Sequence, residues 1–333
     1  MPVLLHIKQG TLMTTQKITC TVIDAGARYG IHPTWKNFLD VIQFHLFEID
    51  STETKRLSEM YASYPNIKIH NHALHSTKGH VKFKLRQHKG LTSLYDSNFE
   101  IRKKTNYMME ESDYAEEEKE IEAVAIDHMF KQDPVHFLKL DTEGSELEIL
   151  KGAEAKLGTT VLGIRTEINF EEIYKGIPLF GEIHSFLRKH NFDLLNLDYD
   201  GRGHNMSAFT MPDRYGYLLG GEGVWIKNID TILNQPTGKM SRDIILLALF
   251  LLNNHATDVC LHLLQRALKE KQINLRKFDK DPVFFQLKKD ISFLFKDLIS
   301  LPAIDEDSIY DTYRKIFNCD FPKWNKFYET FSI

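Results

Sequence analysis

The chain has 333 residues, 42% of them hydrophobic and 26% charged, an ordinary globular composition with enough apolar residues for a large core. Lys and Arg number 42 against 46 Asp and Glu; the net charge of −4 gives no electrostatic reason for nucleic acid or an anionic membrane as partner. Three scattered cysteines without a CxxC pair exclude a disulfide framework and read as thiols of a reducing compartment.

Residues 18–24 (ITCTVID) form a β-rich run ending in Asp-Ala-Gly, the pattern of a buried strand followed by a turn. A helix is expected from Pro33, with Trp35, Phe38, Leu39 and Ile42 at helical spacing. Residues 45–49 are the next strand and 52–63 the next helix. Strands 67–74 and 81–85 follow, joined like a hairpin arm through a turn at Lys78 and Gly79. Residues 100–122 are polar and carry Glu116, Glu117, Glu118 and Glu120 with no clear period. A solvated loop or surface helix is expected there, ahead of a lid over a site.

Alternation then resumes with a strand at 136–140 and a helix at 145–157. Ser145 and Glu148 fit an S-x-x-E capping box, and Gly158 reads as the stop. Strand 161–168, helix 179–190 and strands 192–197 and 223–228 complete the series. Such a series predicts a doubly wound, Rossmann-like α/β sheet, mostly parallel with one antiparallel edge strand, over residues 1–230. Residues 231–333 read as a C-terminal all-helical appendage of four amphipathic stretches, after a linker at 234–238. The aromatic and Leu stripes of these stretches suit a core or a homodimer surface. The N-terminal apolar stretch is too short for a signal peptide, and the longest apolar run, 244–252, falls well short of the ~20 residues of a membrane span. A cytoplasmic protein with no membrane span is the expectation.

Two segments carry chemistry. In VIDAGARYG, Asp24, Gly26 and Gly30 stand where the first strand gives way to a helix. Gly26 permits a backbone closed to other residues, Gly30 would let the turn approach a ligand, and a helix N-terminus offers N–H groups to an anion. Glu48 ends the second strand 22 residues beyond Gly26, close to the offset of about 20 at which a carboxylate accepts from ribose hydroxyls. The turn is not G-x-G-x-x-G, and it leans towards adenosylmethionine rather than a dinucleotide. In the second segment, Asp141 and Glu143 follow a strand end directly, where open α/β sheets bind ligands; Glu167 ends the next strand. Glu146 reads as complementing the helix dipole.

The string FLKLDTEGSELEILKGAE resembles the hallmark of FkbM-type methyltransferases, VIDAGARYG their adenosylmethionine loop, and IHNHAL their following strand. The resemblance covers roughly residues 18–230 and leaves out the C-terminal helices. It implies the seven-stranded methyltransferase fold, S-adenosyl-L-methionine as cofactor, and O-methylation of a sugar, polyketide or related small hydroxyl compound. It places Ala27, Arg28 and Ala73 with Asp24, Gly26, Gly30, Glu48 and Asp141 around the cofactor. Arg28 departs from the family loop, which commonly has Asn there.

Transfer to a hydroxyl calls for a base, worth about 10²–10⁴-fold. Asp141 or Glu143 is expected as that base or as the acceptor orienting the hydroxyl, with Glu167 third. His204, in the loop 198–206, competes, although a solvent-facing loop position is the simpler account. Asp141, Glu143 and Glu167 could instead hold Mg²⁺, but no metal is expected. His70, His72 and His75 lack the partners of a zinc site and read as core or surface histidines. The partner expected is a small-molecule or glycan hydroxyl acceptor. The alternatives are an NAD(P)-dependent oxidoreductase on a similar sheet and a non-catalytic scaffold that retains the fold.

Overall fold

A computed structural model describes residues 19–105, 116–203, 216–271, 278 and 280–285. The first strands are β1 (Thr21–Ala25), β2 (Gln43–Phe47), β3 (Ile67–His70), β4 (Ala73–Leu74) and β5 (Gly79–Arg86). Then come β6 (Glu116–Val124), β7 (Phe137–Leu140), β8 (Gly163–Asn169), β9 (Phe192–Gly203) and β10 (Tyr217–Lys227). The helices begin with α1 (Ser51–Met60), α2 (Phe99–Thr105), α3 (Ile126–Met129), α4 (Glu146–Lys151) and α5 (Glu154–Thr159). They continue with α6 (Phe180–Lys189), α7 (Ile229–Leu233), α8 (Thr237–Asn253) and α9 (Thr257–Lys271).

Seven strands form the main sheet in the order β3-β2-β1-β7-β8-β10-β9. All are parallel except β10, which runs against both β8 and β9. The reversed strand therefore lies one place in from the edge, not at the edge as expected. Burial explains the exchange: Gly223 to Lys227 are buried without interruption, whereas the described part of β9 is largely half-buried or exposed. The continuously buried run takes the two-sided position and the more exposed strand takes the rim.

Other expectations change as well. Residues 67–74 are not one strand: Asn71 donates to the carbonyls of Glu48 and Ile49 (2.9 and 3.1 Å), and the chain then leaves for a second sheet, β4-β6-β5. Strand β5 pairs with β6, so Lys78 and Gly79 do not turn a hairpin back onto 67–74. The segment expected as loop or surface helix holds α2 and β6, with 106–115 outside the described residues. Its glutamates belong to a strand whose charges are matched across the ladder, with Glu118 accepting from Lys82 (2.7 Å) and Lys84 (3.0 Å).

The helix expected at 145–157 is two, α4 and α5, separated at Gly152, whose missing side chain leaves room for the backbone carbonyl of His75. The capping box does not form. Ser145 donates to the Thr142 hydroxyl (2.8 Å) and Glu148 pairs with Lys151 (2.6 Å). Gly158 lies inside α5, which runs on to Thr159. The helix expected from Pro33 is a six-residue 3₁₀ segment, Pro33–Phe38.

Alternate residues of the central strands feed two cores. Ile23, Leu138, Ile164 and Trp225 face α4, α5 and α6; Val22, Phe44, Phe137 and Val224 face the 3₁₀ segment and α8. Phe250 of α8 stacks on Phe137 with centroids 4.9 Å apart, over the space that Gly163 leaves free of a side chain. A fully buried Phe of this kind stabilises the fold by about 1.5–3 kcal/mol. Of the third C-terminal stretch only 283–285 are described, as helix, and the fourth lies outside the described residues. Among the described residues no helix is long and apolar enough to cross a membrane.

Candidate active site

The carboxyl ends of β1, β2 and β7 open onto a cleft of about 250 Å³, walled on its far side by the segment after β5. Gly26, Arg28, Glu48, Ala73, Asp141 and Glu143 all line it. Gly26 has φ 75°, and a Cβ there would overlap the Asp141 carbonyl. The turn is tied to β2 by Gly26 and Ala27, whose N–H groups both donate to the Phe47 carbonyl at 3.1 Å. Glu48 is 5% exposed; its Oε1 accepts from the Asp50 N–H at 2.8 Å, and burial raises its carboxyl above the usual range. Arg28 donates to Asp50 (2.8 Å) and lies 3.9 Å from Glu48 and 3.6 Å from Glu53. Its charge is held among acids of β2 and α1.

Other expected residues do not reach the cleft wall. Ala27 is buried in the core. Gly30 has φ 87°, but the space beside it is taken by the Tyr61 hydroxyl, 2.5 Å from where a Cβ would be, and that oxygen accepts from the Ile31 N–H. Its role is to seat Tyr61 rather than to admit a ligand. Asp24 lies behind the turn. Its Oδ1 has no hydrogen bond and sits 3.6 Å from Lys139 Nζ; burial pushes its carboxyl up to about 6, against the pull of Lys139. Lys139 also donates to Asp141 (3.1 Å), and although burial opposes its charge, the two carboxylates hold it protonated. A lone lysine in the apolar run FLKL was a visible signal of this pair.

Beyond β7 the chain turns sharply through Glu143 (φ 57°) and Gly144 (φ 112°). Glu146 organises this corner. It is 1% exposed, and its carboxylate accepts from the N–H groups of Thr142 (2.7 Å) and Gly144 (3.0 Å) and from the Thr142 hydroxyl (2.8 Å). The helix-dipole reading of Glu146 was therefore too small. Glu143 N–H donates to Glu167 (3.0 Å), and the Glu143 carboxylate accepts from Tyr174 (2.6 Å). Burial, reinforced by neighbouring carboxylates, raises the carboxyls of Glu143 and Glu167. Sequence reasoning missed the loop-pinning role of Glu146, and it missed Tyr174, whose partner Glu143 is brought to it only by the fold. His204 lies outside the described residues.

Asp141, Glu143 and Glu167 bring carboxylate oxygens within 4.8 Å of one another, the one such group among the described residues. Lys139, Tyr174 and the Glu143 N–H already occupy oxygens of all three, so these contacts account for the cluster and magnesium is not proposed.

A seven-stranded sheet in this order, with the reversed strand second from its edge and a glycine turn after β1, is the Rossmann-like methyltransferase fold. The sequence profile of the methyltransferase FkbM domain matches residues 24–194, just over half of the chain. The chain belongs to the FkbM methyltransferase family and carries its S-adenosylmethionine-dependent methyltransferase domain. That sets aside the nicotinamide alternative. Among solved structures it is similar to methyltransferase FkbM from Methylobacillus flagellatus KT, at 15% identity over 64% of this chain and 45% of that one, TM-score 0.37. The chain thus spans less than half the length of that relative. It is also similar to an rRNA methylase from Streptococcus thermophilus (10% identity, 64% and 90% covered, TM-score 0.32). A third is the magnesium protoporphyrin IX methyltransferase ChlM from Synechocystis PCC 6803 with bound SAM (8%, 63% and 71%, TM-score 0.29). No curated protein matches the sequence.

Proposed function

We propose that this protein transfers the methyl group of S-adenosylmethionine to a hydroxyl of a small molecule or glycan. The donor-side groups suit a nucleoside ligand. Glu48 presents a carboxylate to the cleft, Gly26 keeps the turn free of a side chain, and His72 Nδ1 and Thr92 Oγ1 are buried polar atoms of the lining with no partner among the described residues. Buried polar atoms in a native site call for a partner, and a purine with its ribose supplies donors and acceptors of that kind. Glu48 would accept from the ribose hydroxyls, with Arg28 and the Asp50 N–H fixing its direction.

Bound S-adenosylmethionine would supply an electrophilic methyl on a sulfonium. The chain's own task is to place the acceptor oxygen in line and to take its proton. Positioning of this kind is worth roughly 7–11 kcal/mol. The observation that carries the hydroxyl reading is Glu143: a residue of the cleft lining whose carboxyl has a raised proton affinity and is held by a tyrosine. A base serves best when its proton affinity approaches the working pH. Asp141, paired to Lys139, would orient the acceptor hydroxyl, and Glu167 would fix the Glu143 backbone. Acids crowd this end of the sheet, which disfavours a phosphate-rich acceptor such as RNA.

The test is methyl transfer from tritiated S-adenosylmethionine to a panel of sugars, glycans, phenols, amines and RNA. Label in a hydroxyl compound, lost in Glu143→Gln while adenosylhomocysteine still binds, is expected. Label appearing only in amines or RNA would overturn the proposal.

A further inference from the structure

Glu143 has a left-handed backbone, φ 57°, which costs a residue bearing a Cβ roughly 1–2 kcal/mol. Three contacts hold it there. Its N–H donates to Glu167 (3.0 Å), its carbonyl accepts from Ser93 Oγ (2.6 Å), and its carboxylate accepts from the Tyr174 hydroxyl (2.6 Å). Tyr174 is itself immobilised. Its ring is completely buried, and the guanidinium carbons of Arg86 and Arg102 lie 5.1 and 4.6 Å from its centroid. Arg86 donates to the carbonyls of Leu91 (2.5 Å) and Tyr95 (2.7 Å), and Arg102 to that of Ile173 (3.1 Å). The hydroxyl therefore reaches Glu143 from a ring that two buried cations and the small sheet's flanking loop keep in place.

We propose that Tyr174 is a positioning residue that aims the Glu143 carboxylate at the acceptor and keeps it ready to take a proton. The proposal rests on the reading of Glu143 as the base. Burial, Asp141 and Glu146 favour the protonated carboxyl; the Tyr174 hydroxyl and the charge of Arg102 favour the carboxylate. Glu167 adds a further negative neighbour, hydrogen-bonded to the Glu143 N–H. Tyr174 keeps its own proton, because its burial and the adjacent Glu143 both raise its hydroxyl well above the usual range. It therefore has a proton to donate, and of its two acceptors the Glu143 carboxylate (2.6 Å) lies closer than the Leu91 carbonyl (3.5 Å). The ring's two cationic neighbours strengthen that donor without removing its proton.

The test is a carbon-13 titration of side-chain-labelled glutamates in the full chain, with the Glu143 resonance assigned by its loss in Glu143→Gln. In Tyr174→Phe the Glu143 midpoint should rise by about one pH unit or more, the equivalent of one hydrogen bond to a charged group. An unmoved midpoint in a variant that folds and binds adenosylhomocysteine would overturn the proposal. Should Tyr174→Phe fail to fold, Glu143→Gln serves instead: the Tyr174 hydroxyl proton, downfield in the wild type, should move upfield. An unchanged resonance there rejects the contact. Neither measurement uses an acceptor. If no hydroxyl compound is methylated while the midpoint moves as expected, the assigned reaction fails and the Tyr174 contact stands.

Discussion

Gly26 and Asp141 meet so closely, where β1 and β7 end side by side, that the Asp141 carbonyl oxygen occupies the place of a Cβ on residue 26. With φ at 75°, that position excludes a side chain twice over, by conformation and by contact. The same contact joins the donor half of the cleft to the acceptor half, since Gly26 and Asp141 both line it. Gly26→Ala should therefore lower the melting temperature and abolish adenosylhomocysteine binding by calorimetry. Gly181→Ala is the control: it lies in α6 with open space around it and should stabilise by about 0.5–1 kcal/mol. Normal ligand affinity in Gly26→Ala would show that the cleft does not depend on this approach.

Glu146 and Glu148 make opposite predictions for the corner after β7. A capping box would give Glu148 the structural role, but the buried carboxylate that takes the loop N–H groups is Glu146. Glu146→Ala leaves three donors without their partner, the Thr142 and Gly144 N–H groups and the Thr142 hydroxyl, and should cost roughly 2–4 kcal/mol in urea denaturation. Glu148 is partly exposed and paired with Lys151, so Glu148→Ala should cost less than about 1 kcal/mol. The reverse order would restore the capping box.

The central strands were legible because burial on both faces leaves apolar-rich runs, as in the segments around Ile23 and Leu138, each interrupted by one charged residue that the site uses. Strand β6 was not. Its run EEEKEIEAV lies on a small sheet where charges on one strand meet charges on the next, so it carries no apolar period to read. The break in the helix at 145–157 falls where His75, nearly eighty residues away in sequence, packs on Gly152. The carboxylates of the site were legible as types at strand ends. Their division of labour was not, because it is decided by Arg28 and Tyr174, which the fold brings to Glu48 and Glu143, and by the sharing of Lys139 between Asp24 and Asp141.

Glu48 should set donor affinity. A hydrogen bond to a charged group is worth about 1.5–3 kcal/mol, so Glu48→Gln should weaken adenosylhomocysteine binding about 10- to 150-fold. Arg28→Ala should weaken it less, because the Asp50 N–H still holds Glu48 Oε1. Calorimetry on the two variants decides it, and equal affinities for Glu48→Gln and wild type would remove Glu48 from the donor site.

The last prediction concerns acid. His136 is completely buried; its Nδ1 accepts from the Thr21 N–H (3.0 Å), and burial, aided by Arg242, lowers its ring to about 3. His45 and His70, hydrogen-bonded to each other at 3.0 Å, are each lowered to about 4, chiefly by burial. In the unfolded chain these rings take a proton near pH 6.5; in the fold they do not until far lower. The unfolded state therefore binds more protons across that window, and stability rises with pH through it and is lost as pH falls below about 6.5. Asp24 acts with the opposite sign, since its raised carboxyl lets the fold bind a proton first between its ordinary range and about 6. A wild-type curve alone mixes the two, and a variant separates them. His136→Asn keeps an acceptor for Thr21 but cannot titrate. Between pH 6.5 and 5 the wild type should lose about 1.5 kcal/mol more than His136→Asn in urea denaturation. Parallel curves over that interval would mean that His136 takes up its proton in the folded state, and that the buried ring is not neutral.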